Sequence, residues 1–251
     1  MIGLYFSGTG NTRHCVERFL ERTGAEAVSI EDPEAEARLR DHRDIVFGYP
    51  VQFSSLPKLV GDYIRGHGAL WKGKRIFVIA TMGLFSGDGA GVAARLFRAY
   101  GAEIVGGLHL RMPDSICDEK ALKRPLEENR ALVRRAEEKA EAAALALDRG
   151  DPPQEGLGPW PHLAGLLGQR LWFGHKTRRY SGGLKIDGEA CIGCGYCTEQ
   201  CPLGNLRLEG GKAAAGGVCT MCYRCVSLCP RKAITLLGRA VVEQSRVEKY
   251  L

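Results

Sequence analysis

Eight of the ten cysteines in this 251-residue chain stand in two copies of one pattern. The first runs Cys191-x₂-Cys194-x₂-Cys197-x₃-Cys201-Pro202, the second Cys219-x₂-Cys222-x₂-Cys225-x₃-Cys229-Pro230. Thiolates at i, i+3 and i+6 can wrap one cube of iron and sulfide. The fourth, carried off on a turn by its proline, reaches the other cube. The spacing therefore predicts two [4Fe–4S] clusters, one on Cys191, Cys194, Cys197 and Cys229, the other on Cys219, Cys222, Cys225 and Cys201. A disulfide or zinc framework competes for any single C-x₂-C, and two matched copies of four weigh against it.

A second stretch with chemistry lies at the other end. The apolar run Ile2-Gly3-Leu4-Tyr5-Phe6 is followed by Ser7-Gly8-Thr9-Gly10-Asn11-Thr12 and then by a helical pattern with Cys15, Val16, Phe19 and Leu20 on one face. Strand, small polar loop and helix place free backbone N–H groups and a positive helix end around a phosphate. The glycines let the backbone close in, and the hydroxyls donate. No Gly-Lys-Ser/Thr follows, so this is not a nucleotide-triphosphate loop, and it is not a GxGxxG fingerprint.

Elements that must position these groups are legible as strands at 25–30, 44–49, 75–81 and 103–110, with helical patterns over Leu56–Ile64 and Ala90–Tyr100 between them. Alternating strands and helices imply a parallel sheet covered on both faces. A long amphipathic helix is expected from Asp118 to about Asp148, stopped by Gly150-Asp151-Pro152-Pro153. Residues 151–183 read as a linker too apolar for a free tether, with Trp160, Leu163, Leu166, Leu171, Trp172 and Phe173. It is expected to pack across both domains. The alternative is docking to an acidic partner or a membrane surface through 160–179, with Arg170, Lys176, Arg178 and Arg179. In the C-terminal part, Leu206–Leu208 and Lys212–Ala214 fit a hairpin around Gly210-Gly211, and Ala233–Thr235 a returning strand. Residues 240–251 read as a polar tail without chemistry.

Two resemblances follow. Residues 184–238 resemble a two-cluster bacterial ferredoxin, on the strength of the paired cysteine motifs. The first strand with S-x-T-G-N-T is similar to the phosphate loop of flavodoxins. The second implies a flavodoxin-like α/β fold, a doubly wound five-stranded parallel sheet of order 2-1-3-4-5, with FMN bound at the C-terminal ends of strands 1 and 3. It further implies that Ser7, Gly8, Thr9, Gly10, Asn11 and Thr12 hold the phosphate. The two loops that would hold the ring contain Tyr49, Pro50, Val51, Gln52 and Phe53 after strand 3, and Thr81, Met82, Gly83, Phe85 and Gly87 after strand 4. The whole chain resembles flavodoxin–ferredoxin fusions, found mainly in anaerobes. Its domains would be a flavodoxin-like unit at 1–150, the linker at 151–183, and a small α+β two-cluster unit at 184–251.

Composition narrows the classes. The formal charge of +6 is concentrated in residues 151–251, which carry 13 Lys and Arg against 8 Asp and Glu. Two clusters with eight thiolates contribute roughly −4 and a flavin phosphate about −2, so the excess reads as compensation for cofactor charge rather than as a nucleic-acid surface. Only Cys15 and Cys117 lie outside the motifs, which argues for a reducing cytoplasm. The start of the chain lacks a signal-peptide pattern, and no apolar run reaches the ~18 residues of a membrane span. The expected function is an electron carrier joining two [4Fe–4S] clusters, FMN and a redox partner protein. The alternatives are an FMN-dependent reductase of a small acceptor fed by its own clusters, and a docking module whose flavodoxin fold no longer holds flavin.

Overall fold

The computed structural model describes residues 1–84, 87–158 and 182–251. The linker aromatics between Trp160 and Phe173, the basic residues around Arg178, and Phe85 lie outside them. Five parallel strands form the main sheet: β1 (Ile2–Tyr5), β2 (Ala27–Ser29), β3 (Asp44–Pro50), β4 (Arg75–Met82) and β5 (Glu103–Arg111). Their order is β2-β1-β3-β4-β5, the flavodoxin-like doubly wound arrangement. The sheet is buried on both faces, so its strands read as near-continuous apolar runs.

Alternation along β4 shows how the two faces are shared. Ile76, Val78 and Ala80 join Ile2, Leu4, Phe47, Trp71 and Phe97 under α3 (Lys58–Gly66) and α4 (Gly89–Ala99). Phe77 and Ile79 point the other way, against Val16 and Phe19 of α1 (Asn11–Leu20) and Val133, Ala136 and Ala140 of α5 (Leu126–Asp148). The rings of Phe19 and Phe77 stack at 4.8 Å. Each buried Val, Leu, Ile or Phe among them contributes roughly 1.5–3 kcal/mol. A short α2 (Ala35–Arg40) completes the crossovers.

Helix α5 starts at Leu126, eight residues later than expected from Asp118. Pro125 is the reason: it disfavours helical geometry at Arg124 and suits a helix start, so residues 118–125 stay irregular apart from one turn at Lys120–Leu122. Beyond α5 the chain turns back along β5. Gly107 donates to Pro153 O at 2.8 Å, and Glu155 donates to Gly107 O at 2.9 Å.

The C-terminal module is built from two small antiparallel pairs. Lys185–Ile186 pairs with Ile234–Thr235, and Leu206–Glu209 pairs with Lys212–Ala215 around Gly210 and Gly211. Single helical turns at Tyr196–Gln200 and Arg224–Leu228 follow the first two cysteines of each motif and carry the third. Its core is small, with Leu206, Tyr223, Val226, Ile234 and Leu236 buried together, as expected where bound metal supplies much of the folding energy. Among the described residues, no helix is long and apolar enough to cross a membrane.

The tail differs from its expected role. Val247 packs over Gly10 and donates its N–H to Thr9 O at 2.9 Å, and Tyr250 is buried against the α1–α5 side of the sheet. The last residues therefore strap the cysteine module to the loop after β1.

Candidate functional site

A cavity of about 370 Å³ opens at the C-terminal ends of β1, β3, β4 and β5. That size falls within the usual range of cofactor pockets. Its floor is the loop after β1, with Ser7, Gly8, Thr9, Asn11 and Thr12 on the wall. Two hydroxyl pairs hold this end: Thr9 Oγ1 with Ser115 Oγ at 2.7 Å, and Thr12 Oγ1 with Thr81 Oγ1 at 2.7 Å. Each pair spends one proton internally and leaves the other free to donate. Ser7 Oγ is buried without a partner, an arrangement that costs free energy unless an anion or another acceptor completes it. The N-terminus of α1 faces the same place and favours negative charge.

The ring-sized part of the cavity is walled by Pro50, Val51, Gln52 and Phe53 on one side and by Thr81, Met82, Gly83 and Leu84 on the other. Phe53 and Ser54 adopt left-handed backbone conformations with φ of 48° and 54°. They form a two-residue turn closed by Gln52 N to Ser55 O at 3.0 Å and Ser55 N to Gln52 O at 2.9 Å. Bulky residues rarely take this conformation. The turn holds Phe53 against the core of the cysteine module, and Gln52 Nε2 donates to the carbonyls of Thr220 and Met221 at 2.9 and 3.1 Å.

Three of the expected contacts fall elsewhere. Tyr49 is fully buried beside Phe47 in the sheet core, with its hydroxyl donating to Gly89 O, and does not line the cavity. Its position on β3 selects the core face, while Pro50 takes the cavity side. Gly10 lies on the outer side of the loop beneath Val247, and Gly87 lies outside the cavity wall. Phe85 is outside the described residues.

The cavity also has walls that no local motif announces. Met112, Pro113, Asp114, Ser115 and Ile116 descend from β5, and Met221, Cys222, Tyr223, Leu236 and Leu237 come from the cysteine module. Asp114 sits so close to Gly83 that any side chain there would collide with its carboxylate. Burial pushes the Asp114 carboxyl above the usual range, against the lowering by the Ile116 N–H and by Lys123 and Arg124. Tyr223 donates to Asp118 Oδ1 at 2.8 Å, while Asp118 Oδ2 accepts from the Leu236 and Leu237 N–H groups at 2.6 and 3.0 Å. Position on the strand-end edge of β5 was the one available sequence signal for Asp114 and Ser115.

The eight motif cysteines line two further cavities. Cys191, Cys194, Cys197 and Cys229 surround one; Cys201, Cys219, Cys222 and Cys225 surround the other, with Cys225 reaching the wall of both. Backbone N–H groups point at sulfur in each set. Ala213 N lies 3.4 Å from Cys191 Sγ and Ala233 N 3.3 Å from Cys229 Sγ, with Asn205 N 3.3 Å from Cys201 Sγ and Met221 N 3.2 Å from Cys219 Sγ. Such donors stabilise charge on ligating sulfur. Among the described residues no three His, Cys, Asp or Glu side chains form a site for a single metal ion. Cysteines spread around a cavity suit a group of several atoms. Cys194 is exposed, whereas Cys222 also lines the large cavity.

Comparison with known proteins bears on each half. Residues 183–230 match the model of the 4Fe-4S dicluster domain. No curated protein matches the chain. Among solved structures, the two-electron reduced flavodoxin of Megasphaera elsdenii is 24% identical, with a TM-score of 0.42 over 58% of this chain and 100% of that one. A flavodoxin from the domain Archaea is 14% identical, with a TM-score of 0.41 over 59% of this chain and 97% of that one. The rubredoxin oxygen:oxidoreductase of Desulfovibrio gigas is 15% identical, with a TM-score of 0.41 over 59% of this chain and 36% of that one. The dicluster match spans all eight motif cysteines, from Cys191 to Cys229.

Proposed function

We propose that the chain is an electron carrier that exchanges electrons between two [4Fe–4S] clusters and FMN and passes them to a redox partner protein. The observation that carries this reading is Cys222, whose residue lines both the cavity of the second cysteine set and the large cavity over the phosphate loop. Clusters supply one-electron steps, and a flavin supplies one- or two-electron steps.

The residues have distinct roles in this account. Ser7 Oγ and the spare protons of the Thr9–Ser115 and Thr12–Thr81 pairs hold the phosphate, with the α1 N-terminus behind them. Phe53, Met82 and Gly83 shape the ring space. Cys191, Cys194, Cys197 and Cys229 hold one cluster, and Cys201, Cys219, Cys222 and Cys225 hold the other. Met221, Tyr223, Leu236 and Leu237 line the cavity from the cluster side. Protein therefore covers the cluster-facing side of the cavity, which favours electron exchange with the clusters. The cavity is open rather than filled by aromatic side chains, which favours flavin binding over a docking module.

The test is an anaerobic preparation of the full chain assayed for iron, sulfide and flavin, then titrated with FMN. About eight irons and one tightly bound FMN per chain are expected. Full iron content with no FMN uptake would overturn the carrier in favour of the docking module.

A further inference from the structure

Arg224 stands inside the second motif, between Cys222-Tyr223 and Cys225. Its guanidinium grips Glu31, in the loop after β2, through a parallel fork: Nη1 to Oε1 at 2.7 Å and Nη2 to Oε2 at 2.6 Å. The same group donates to Ser7 O at 2.9 Å and to Gln200 O at 3.3 Å. One side chain thus joins the phosphate loop, the sheet edge and the backbone beside Cys201. Both partners are largely shielded, with side chains 18% and 23% exposed, and a forked pair in such surroundings is both directional and strong. Arg224 lines the cavity of the second cysteine set and is absent from the wall of the first.

We propose that the Arg224–Glu31 fork is a positioning and charge-balancing pair, fixing the second cysteine set against the phosphate loop and setting the potential of the cluster held there. The proposal rests on the carrier reading and adds a function to two residues that are not themselves cluster ligands. A cation beside a cluster favours the reduced, more negative state, and a carboxylate disfavours it. Arg224 lines that cavity and Glu31 stands behind it, so the two effects oppose each other. Removing either charge leaves the other uncompensated.

The experiment is an EPR-monitored redox titration of the anaerobic full-length holoprotein as wild type, Arg224→Gln, Glu31→Gln and the double variant. Arg224→Gln should lower one cluster potential and Glu31→Gln should raise it. The double variant should fall between the two single variants, and the cluster of the first cysteine set should hardly move. A purely structural tie predicts shifts of the same sign for both single variants, or none, and either result overturns the proposal. If Arg224→Gln loses iron, Glu31→Gln decides alone, and an unmoved potential overturns it. Wild-type protein lacking iron, sulfide or bound FMN would instead bring down the carrier reading itself, and this proposal with it.

Discussion

Gly8, in the loop after β1, and Cys222 of the second cysteine motif meet backbone to backbone: a Cβ on Gly8 would collide with the carbonyl oxygen of Cys222. The contact leaves no room for the smallest side chain, and the opposing atom belongs to backbone that cannot rotate away. Gly8→Ala should therefore push the two modules apart. Overpacking of this kind costs about 1–3 kcal/mol, and FMN affinity should fall at least ~10-fold, equivalent to ~1.4 kcal/mol. Iron content should be unchanged. Flavin titration beside an iron assay checks both parts, and loss of iron together with flavin would show that the contact supports the cluster fold itself.

Ser7→Ala separates binding from stability. The hydroxyl is buried without a partner, so its removal should leave the flavin-free chain as stable or slightly more stable. A hydrogen bond to a charged phosphate contributes about 1.5–3 kcal/mol, so FMN affinity should drop roughly 10- to 150-fold. Thermal melting of the flavin-free chain and FMN titration should move in opposite senses. A variant that binds FMN as tightly as wild type would place the phosphate away from Ser7.

Much of the α/β unit was legible because buried parallel strands leave apolar runs such as Ile2–Phe6 and Arg75–Thr81, and because the loop after β1 is local. The grouping of the cysteines around two cavities was legible for the same reason, since it is carried by spacing. Tyr49 misled because the residues around it are buried on either face of the sheet, so composition does not say which side an aromatic takes. The start of α5 misled because a charged, helix-favouring stretch masked the veto of Pro125. Ser115 beside Thr9, Gln52 on Thr220 and Met221, and Arg224 on Glu31 are partnerships across more than a hundred residues. No periodicity reports such pairings; the first follows from the strand ends of the sheet meeting at one edge, the others from the docking of the two modules.

His109 gives the fold a pH response. Its Nε2 accepts the N–H of Ala90 at the start of α4, at 3.0 Å, so it must be neutral at that atom. Burial lowers its pKa, outweighing the raising effect of Glu155, with Lys139 lowering it further. A histidine depressed in the folded state binds fewer protons than in the unfolded chain. The stability contributed by neutral His109 is thus complete above the unfolded value of about 6.5, falls as pH drops below it, and that contribution is lost as pH passes through the folded pKa. In His109→Gln the amide oxygen can accept the same N–H without titrating. Its thermal midpoint should fall less than that of wild type between about pH 7.5 and about pH 5.5. Identical acid slopes would show that His109 does not carry the response.

The C-terminal strap should matter to both modules. Val247 is 1% exposed, lies over Gly10, and donates to Thr9 O. Val247→Asp places a buried, unpaired carboxylate next to the site assigned to phosphate. The expected loss is about 3 kcal/mol or more in urea unfolding, with FMN affinity reduced as well. A variant with unchanged unfolding and flavin binding would mean that the strap is dispensable.

Transfer within one chain is the central claim, and the most direct measurement is laser-flash reduction of the flavin in the anaerobic holoprotein, with cluster bleaching followed in the visible. The account predicts bleaching of the clusters as the flavin reoxidises, at a rate independent of protein concentration and slowed in Gly8→Ala. A rate proportional to protein concentration, or reoxidation of the flavin without cluster bleaching, would contradict it.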